Sequence, residues 1–230
     1  LKKKVRDLLG SPDWRQGLAE DFSQEPFKNL AHTLIRLLSS PAPEIKWRAA
    51  EALAQAVSLQ AEHDMEPARE VMRRLLWGLN EESGSIIWGA PEALAEIMSR
   101  HAPLAGEFVN IYLSFLDQGC NQLEFLPLHR GVVWGLGRMA RAWPDLLQER
   151  GAPALLRQAL QDSDTQVRGL ALWGLGRLGD AGDLAKLRAL AGDRSSVTIW
   201  DQHQLTIFTI GELAGKAISR IQPDPASTPE

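Results

Sequence analysis

The sequence is poor in cysteine, in tyrosine and in strand-like patterning, and each scarcity closes off a class of protein. One cysteine, Cys120, in 230 residues excludes an internal disulfide and a cysteine-based zinc cluster. It suits a reducing, cytoplasmic compartment. No apolar run approaches the roughly 18 residues that a transmembrane helix needs, so no membrane span is expected. The first residues, LKKKVRDLLG, are charged and hold no apolar signal region; with no initiator Met, they point to a trimmed or processed start. Net charge is −4, so no bulk basicity points to nucleic acid. The five histidines (His32, His63, His101, His129 and His203) have no metal-ligand spacing. Short β-branched runs exist, but hardly any alternate with polar residues between turn signals.

Helical punctuation is plentiful instead. Ser11-Pro12-Asp13 offers an N-cap, a first-turn proline and an acid for a helix through about Asp21. Helices are expected from Pro26, over Pro67–Leu79, over Pro103–Leu116 and over Asp183–Leu190. Another is expected over Pro144–Leu160, with a possible break at Gly151-Ala152-Pro153. Asn80–Ser85 and Asp117–Leu126 read as long polar connections. The tail QPDPASTPE, residues 222–230, is Pro-rich and polar and is expected to be disordered, leaving 1–221 as a single domain.

The most regular stretch is Gln166–Asp180, QVRGLALWGLGRLGD, and four relatives of it align without gaps. Leu53, Leu94, Leu136, Leu175 and Ile210 share one column, at spacings of 41, 42, 39 and 35 residues. The column before it holds Ala52, Ala93, Gly135, Gly174 and Thr209; the column after it holds Ala54, Ala95, Gly137, Gly176 and Gly211. Glycine inside a helix costs about 1 kcal/mol relative to alanine, so these glycines call for close helix contact. An apolar helix precedes each relative. A helix–turn–helix unit repeating at roughly 40 residues predicts a HEAT-type solenoid: all-α, a right-handed α-α superhelix of about five helix pairs.

The strings VRGLALWGLGRLGD, HRGVVWGLGRMARA, IKWRAAEALAQAV and SIIWGAPEALAEI resemble the HEAT-repeat family, in the short form also seen in phycobilin-lyase-like repeats. The resemblance covers roughly residues 26–220. It implies stacked helix pairs sharing one core, and mostly protein–protein scaffolding, with a few enzymes.

In such a solenoid the second helix of each pair lines the concave side. The residue two before the Leu column is turned about 200° from it and is expected to face the groove. That position holds Glu51, Glu92, Trp134, Trp173 and Phe208. One turn earlier come Trp47, Trp88, Arg130, Gly169 and Gln204; one turn later come Gln55, Glu96, Arg138, Arg177 and Glu212. Four of the eight Trp fall in these columns, where Arg one turn away can form cation–π pairs. A Trp at helical spacing equally fits space-filling between repeats. Residues 79–128 carry seven acids and one base, whereas residues 129–178 carry seven Arg and four acids. Pro91 is expected to kink its helix or mark its true start, re-aiming Trp88 and Glu82.

No catalytic signature stands out. The Gly-x-Gly pieces at 135–137 and 174–176 lie mid-helix, so they are not nucleotide loops. There is no His-Glu pair of the kind that iron-binding HEAT hydroxylases use. No cofactor and no metal are expected. The expected role is a binding or scaffold module with a protein partner rather than nucleic acid. Its concave residues would be Trp47, Glu82, Trp88, Glu92, Arg130, Trp134, Arg138, Trp173, Arg177 and Phe208. The alternative is a HEAT-like enzyme, such as an alkylated-base DNA glycosylase or a chromophore lyase-like protein.

Overall fold

A computed structural model describes residues 1–22, 24–79 and 86–222. The expected connection 80–85, with Glu82, and residues 223–230 of the expected tail lie outside them. Among the described residues the chain runs through thirteen α-helices and one hairpin. The helices are α1 (Lys2–Gly10), α2 (Trp14–Asp21), α3 (Phe27–Leu37), α4 (Pro43–His63), α5 (Met65–Trp77), α6 (Ala90–Arg100) and α7 (Ala102–Ser114). They continue with α8 (Leu126–Met139), α9 (Pro144–Glu149), α10 (Ala152–Ala159), α11 (Thr165–Leu178), α12 (Leu184–Ala189) and α13 (Ile210–Ile221). Strands β1 (Ser196–Asp201) and β2 (Gln204–Thr209) stand between α12 and α13. The repeat pairs are α3/α4, α5/α6, α7/α8, α10/α11 and α12/α13, so the fold is an all-α array of helix pairs with one small hairpin inserted.

Local chemistry sets the helix ends. Prolines sit in the first turn of α4, α6, α9 and α10, where a missing N–H has no helical partner to lose. Gly151, at φ +78°, separates α9 from α10 in a left-handed conformation that glycine adopts without penalty. Asp164 caps α11 by accepting from Val167 N. Ser11 does not cap α2, which starts at Trp14 with Asp13 as its N-cap.

Two expectations about the repeats need correction. The second relative becomes helical only at Ala90, because Pro91 marks the helix start, and Trp88 therefore sits in the preceding turn. The fifth is half strand: Gln204 to Thr209 pair antiparallel with Asp201 to Ser196. Val197 and Ile199 are buried while Ser196 and Thr198 are exposed, a period-two pattern only four residues long. The turn residues Gln202 and His203 have φ of 48° and 69°, the signs that a two-residue hairpin turn requires. Thr209 then closes β2 and opens α13 with a capping box, accepting from Glu212 N at 3.1 Å and donating its own N–H to Glu212 Oε2 at 2.7 Å.

The chain divides into two compact units, Leu1–Ile111 with Leu123–Gly131, and Tyr112–Gln122 with Val132–Glu230. In the first, α4 packs against α1, α3, α5 and α6. Every residue of α6 from Ala90 to Ser99 is buried. In the second, α11 packs against α9, α10, α13 and β1. Ten of its fourteen residues are buried, which leaves it no open apolar stripe. The Leu column behaves as expected: Leu53, Leu94, Leu136, Leu175 and Ile210 are all fully buried.

The mid-helix glycines are points of contact. A Cβ on Gly137 would lie 2.3 Å from Cε3 of Trp173, and one on Gly169 would lie 2.3 Å from Cγ2 of Val197 on β1. Gln166 covers the outer edge of β1, donating from Nε2 to Thr198 O and accepting from Thr198 N at 3.0 Å. Arg157 of α10 joins Asp183 through Nε–Oδ1 at 2.7 Å and Nη2–Oδ2 at 3.0 Å, and Nη2 also reaches Asp180 at 2.7 Å.

Two stability predictions follow from this packing. Gly137→Ala should lose up to about 2 kcal/mol net, because overpacking of about 1–3 kcal/mol is offset only by a helix-propensity gain of about 1 kcal/mol. Gly106→Ala, in α7 with nothing within 4 Å of the added Cβ, should instead gain up to about 1 kcal/mol; urea unfolding of both variants checks the contrast. Arg157→Ala should cost about 3 kcal/mol at pH 7, since Asp183 is 4% exposed and would keep a buried charge without its partner. The hydrogen bond from Arg157 holds the Asp183 carboxyl below its usual 3.8. That stabilisation is therefore fully present above pH 3.8 and is lost as pH falls through the lowered folded value. The gap between wild type and variant should close on acidification, which a pH series of unfolding curves measures.

Candidate functional site

The candidate residues collect into two clusters, one in each unit. In the first unit, Lys46 of α4 bridges to Glu92 of α6, with Nζ 2.7 Å from Oε1. Lys46 also stands 4.8 Å from the centroid of the Trp47 ring, which is half-buried. Glu92 itself is 3% exposed, and its Oε2 has no hydrogen-bond partner among the described residues. Gly131 makes room for it: a Cβ there would come within 2.9 Å of Oε2. Trp88, in the turn before α6, is 41% exposed and meets Phe125, 55% exposed, edge to face at 6.3 Å. The Trp88 N–H donates to Ser39 Oγ at 3.4 Å, tying this turn to the turn between α3 and α4.

In the second unit, Trp134 and Trp173 stack at 6.2 Å with 22° between their planes. Trp134 Nε1 donates to Trp200 O at 2.9 Å, so the hairpin fixes the orientation of the stack. The Arg177 guanidinium lies over Trp173 at 5.3 Å and donates to Trp173 O at 3.4 Å. Burial, and next the field of Arg220, pull the Arg177 pKa down to about 10; Arg141 and Arg138 add to this and Asp201 opposes it. Arg141 Nη1 is 3.2 Å from Asp201 Oδ1. Phe208 sits half-buried on β2, with Lys216 Nζ 4.0 Å from its ring centroid.

These placements correct the expected facing of several residues. Glu92, Trp134 and Trp173 are 3%, 2% and 6% exposed, so none of them lines an open surface. The physical reason is that α6 and α11 are enclosed by neighbours on more than one side, and that on α8 the Trp134 indole is covered by the Trp173 ring and the hairpin. Glu51, in the same column, is likewise buried and paired with Arg15. Phe208 belongs to a strand, not to a helix. Arg130, Arg138 and Arg177 are half-buried, and Trp88 is the open aromatic among the ten expected residues; Glu82 lies outside the described residues.

Lys46, Phe125, Arg141, Asp201, Lys216 and Arg220 were not expected in these clusters. Glu212, Lys216 and Arg220 recur every fourth residue, a one-face helical spacing that could have flagged the last two. Nothing local marks Phe125 or Asp201. Among the described residues no group of three or more His, Cys, Asp or Glu could hold a metal ion, and no helix is long and apolar enough to cross a membrane.

The Lys46–Glu92 pair gives a direct prediction. Lys46→Met should destabilise by about 3 kcal/mol, because it leaves a buried carboxylate without its cation. Adding Glu92→Gln should recover most of that loss, which a double-mutant cycle on unfolding free energies would measure.

Comparison with known proteins points in one direction. A family model described as HEAT repeats matches residues 127–200. An engineered protein solved by a structural genomics consortium is similar at TM-score 0.52 and 19% identity, covering 96% of each chain. A designed armadillo repeat protein in complex with the peptide (KR)4 is similar at TM-score 0.52 and 19% identity, covering 95% of this chain and 98% of that one. Computationally designed armadillo repeat proteins for modular peptide recognition are similar at TM-score 0.50 and 16% identity, covering 95% and 99%. No curated protein matches the chain. Five helix pairs at a period near 40 residues, with a HEAT-repeat model matched over residues 127–200, give this chain the helix-pair repeat fold of HEAT-type proteins.

Proposed function

We propose that this chain is a binding module that takes a segment of another protein on the aromatic surface of its first unit. The observation that carries this reading is the Trp88–Phe125 pair, two large rings in contact with each other and each about half open to solvent. Folding leaves their apolar area unburied, although Trp is the residue type most enriched at binding hot spots. The setting is rigid. Trp88 precedes the proline-started helix α6, Phe125 accepts in the first turn of α8 through Leu128 N at 2.9 Å, and the Lys46–Glu92 bridge is close by in sequence and fold. Pre-set rings bind with little further ordering cost.

The repeat fold supports the same reading. Helix-pair repeats present extended surfaces to partners, and one similar designed repeat protein was solved with a peptide. Trp47, beside Lys46, would extend the surface toward α4. Arg130 would engage acidic groups of a partner.

Selection of binders from a random peptide library tests the proposal. Peptides enriched on the wild type should lose at least about tenfold in affinity on a Trp88→Ala/Phe125→Ala variant, a modest value for a hot-spot pair. Fluorescence polarisation would measure it. Both side chains are exposed, so the variant should unfold at the wild-type temperature. Equal affinity for every enriched peptide would overturn this surface as the binding site.

A further inference from the structure

The hairpin of the second unit has one closed edge and one open edge. In an antiparallel pair, facing residues exchange both backbone bonds at every second position. Ile210 N donates to Ser195 O at 2.9 Å, so in this register Val197–Phe208, Ile199–Thr206 and Asp201–Gln204 are the bonded pairs. Thr198 and Trp200 on β1, and Leu205 and Ile207 on β2, therefore turn their N–H and C=O groups outward. On β1, side chains meet them: the Gln166 amide bonds both Thr198 groups, and Trp134 Nε1 donates to Trp200 O at 2.9 Å. On β2, the Thr209 N–H is taken by Glu212 Oε2 at 2.7 Å. Among the described residues, the outward groups of Leu205 and Ile207 have no partner. Their side chains are 40% and 70% exposed. The strand QLTIFT has no charge and no proline, and its register has no bulge. Those are the devices that blunt an open edge.

We propose that β2 is an interface for a second copy of this chain, the two β2 strands pairing antiparallel into one continuous sheet. The open groups are self-complementary. With Thr206 on the two-fold axis, Leu205 of one copy faces Ile207 of the other, and every outward N–H meets an outward C=O. A shift by two residues loses this match. It sets Ile207 against His203 in the turn, or Leu205 against Thr209, whose N–H is already taken. An extended segment of another protein would have to supply the same pattern, whereas a second copy has it by symmetry. On the outer face, Leu205 and Ile207 of the two copies would cover one another and remove apolar area from water. On the other face, the open cavity of about 720 Å³ between β2 and α13 leaves room for the second copy's Thr206. No residue of β2 is charged, so no like charges meet across the axis. One ribbon edge is small beside the roughly 800 Å² per partner of standard interfaces, which makes the dimer concentration-dependent.

The interface goes beyond the aromatic surface of the first unit and stands or falls separately. Sedimentation velocity over about 10 µM to 1 mM should show monomer passing into dimer. Ile207→Lys should weaken the dimer at least about tenfold, because a charge on an open edge opposes pairing. Ile207 is 70% exposed, so this variant should unfold at the wild-type temperature. Trp88→Ala/Phe125→Ala should dimerise as the wild type does. Cross-linking in a Cys120→Ser background reads the register. Thr206→Cys should oxidise to a disulfide dimer, because a non-bonded pair on the axis sets its Cα atoms about 4.5 Å apart, within disulfide range. Gln204→Cys, opposite Phe208 of the second copy, should cross-link at least about tenfold more slowly. Adding Ile207→Lys should suppress the Thr206→Cys product. A chain that stays monomeric throughout, a dimer that Ile207→Lys leaves intact, or equal cross-linking by the two cysteine variants overturns the proposal. A monomer that binds extended peptides at β2 overturns it too, and assigns the edge to another protein.

Discussion

The second unit depends on one close fit, the Trp173 ring lying where Gly137 has no side chain. That fit sets the approach of two helices in the repeat and fixes the ring's tilt against Trp134. It leaves the far side of Trp173 to Arg177. Gly169 repeats the device one turn earlier, taking Val197 of the hairpin. A glycine in a helix weakens it by about 1 kcal/mol, and here the backbone thus exposed receives a ring and a strand. The hairpin in turn holds Trp134 through its indole N–H. The aromatic stack, the hairpin and the arginine surface are one packing arrangement.

The two units treat charge in opposite ways. In the first, acids of the inner helices are buried, and cations from earlier elements reach two of them: Arg15 to Glu51, Lys46 to Glu92. Their charges are spent on holding helices together, and what stays open is aromatic. In the second, Trp134 and Trp173 are buried, Arg138 and Arg177 are half-buried, and Lys216 and Arg220 are exposed. Burying an ion is tolerated only with a partner, so the acids required basic neighbours early in the chain. The arginines had no such demand, because their long stems lie on rings and keep the head groups near water.

Much of this was legible beforehand. The Leu column gave the repeat, because a position buried in every unit tolerates little but a large aliphatic. The column of small residues gave the close approach, because nothing else explains glycine in mid-helix. Pro91 gave two options, and the structure takes the helix start. The hairpin was not legible. Its turn, Gln202-His203, adopts positive φ without the glycine or asparagine that usually announces it, and each of its strands is six residues long. The Thr209–Glu212 capping box was present in the sequence and would have moved the start of α13 to Ile210.

The sequence by itself determined the helix pairs, their period and their shared core. Those follow from side-chain periodicity and capping, which act within a few residues. It determined that tryptophan and arginine would stand one turn apart on the same helix, as Trp173 and Arg177 do. Only the tertiary structure decided which of them reach solvent. Exposure on an inner helix depends on how many neighbours surround it, and α6 and α11 are enclosed on the very side that helical angle alone would assign to a groove. Trp134 and Trp173 thereby became supports, while Trp88, released from its helix by Pro91, became surface.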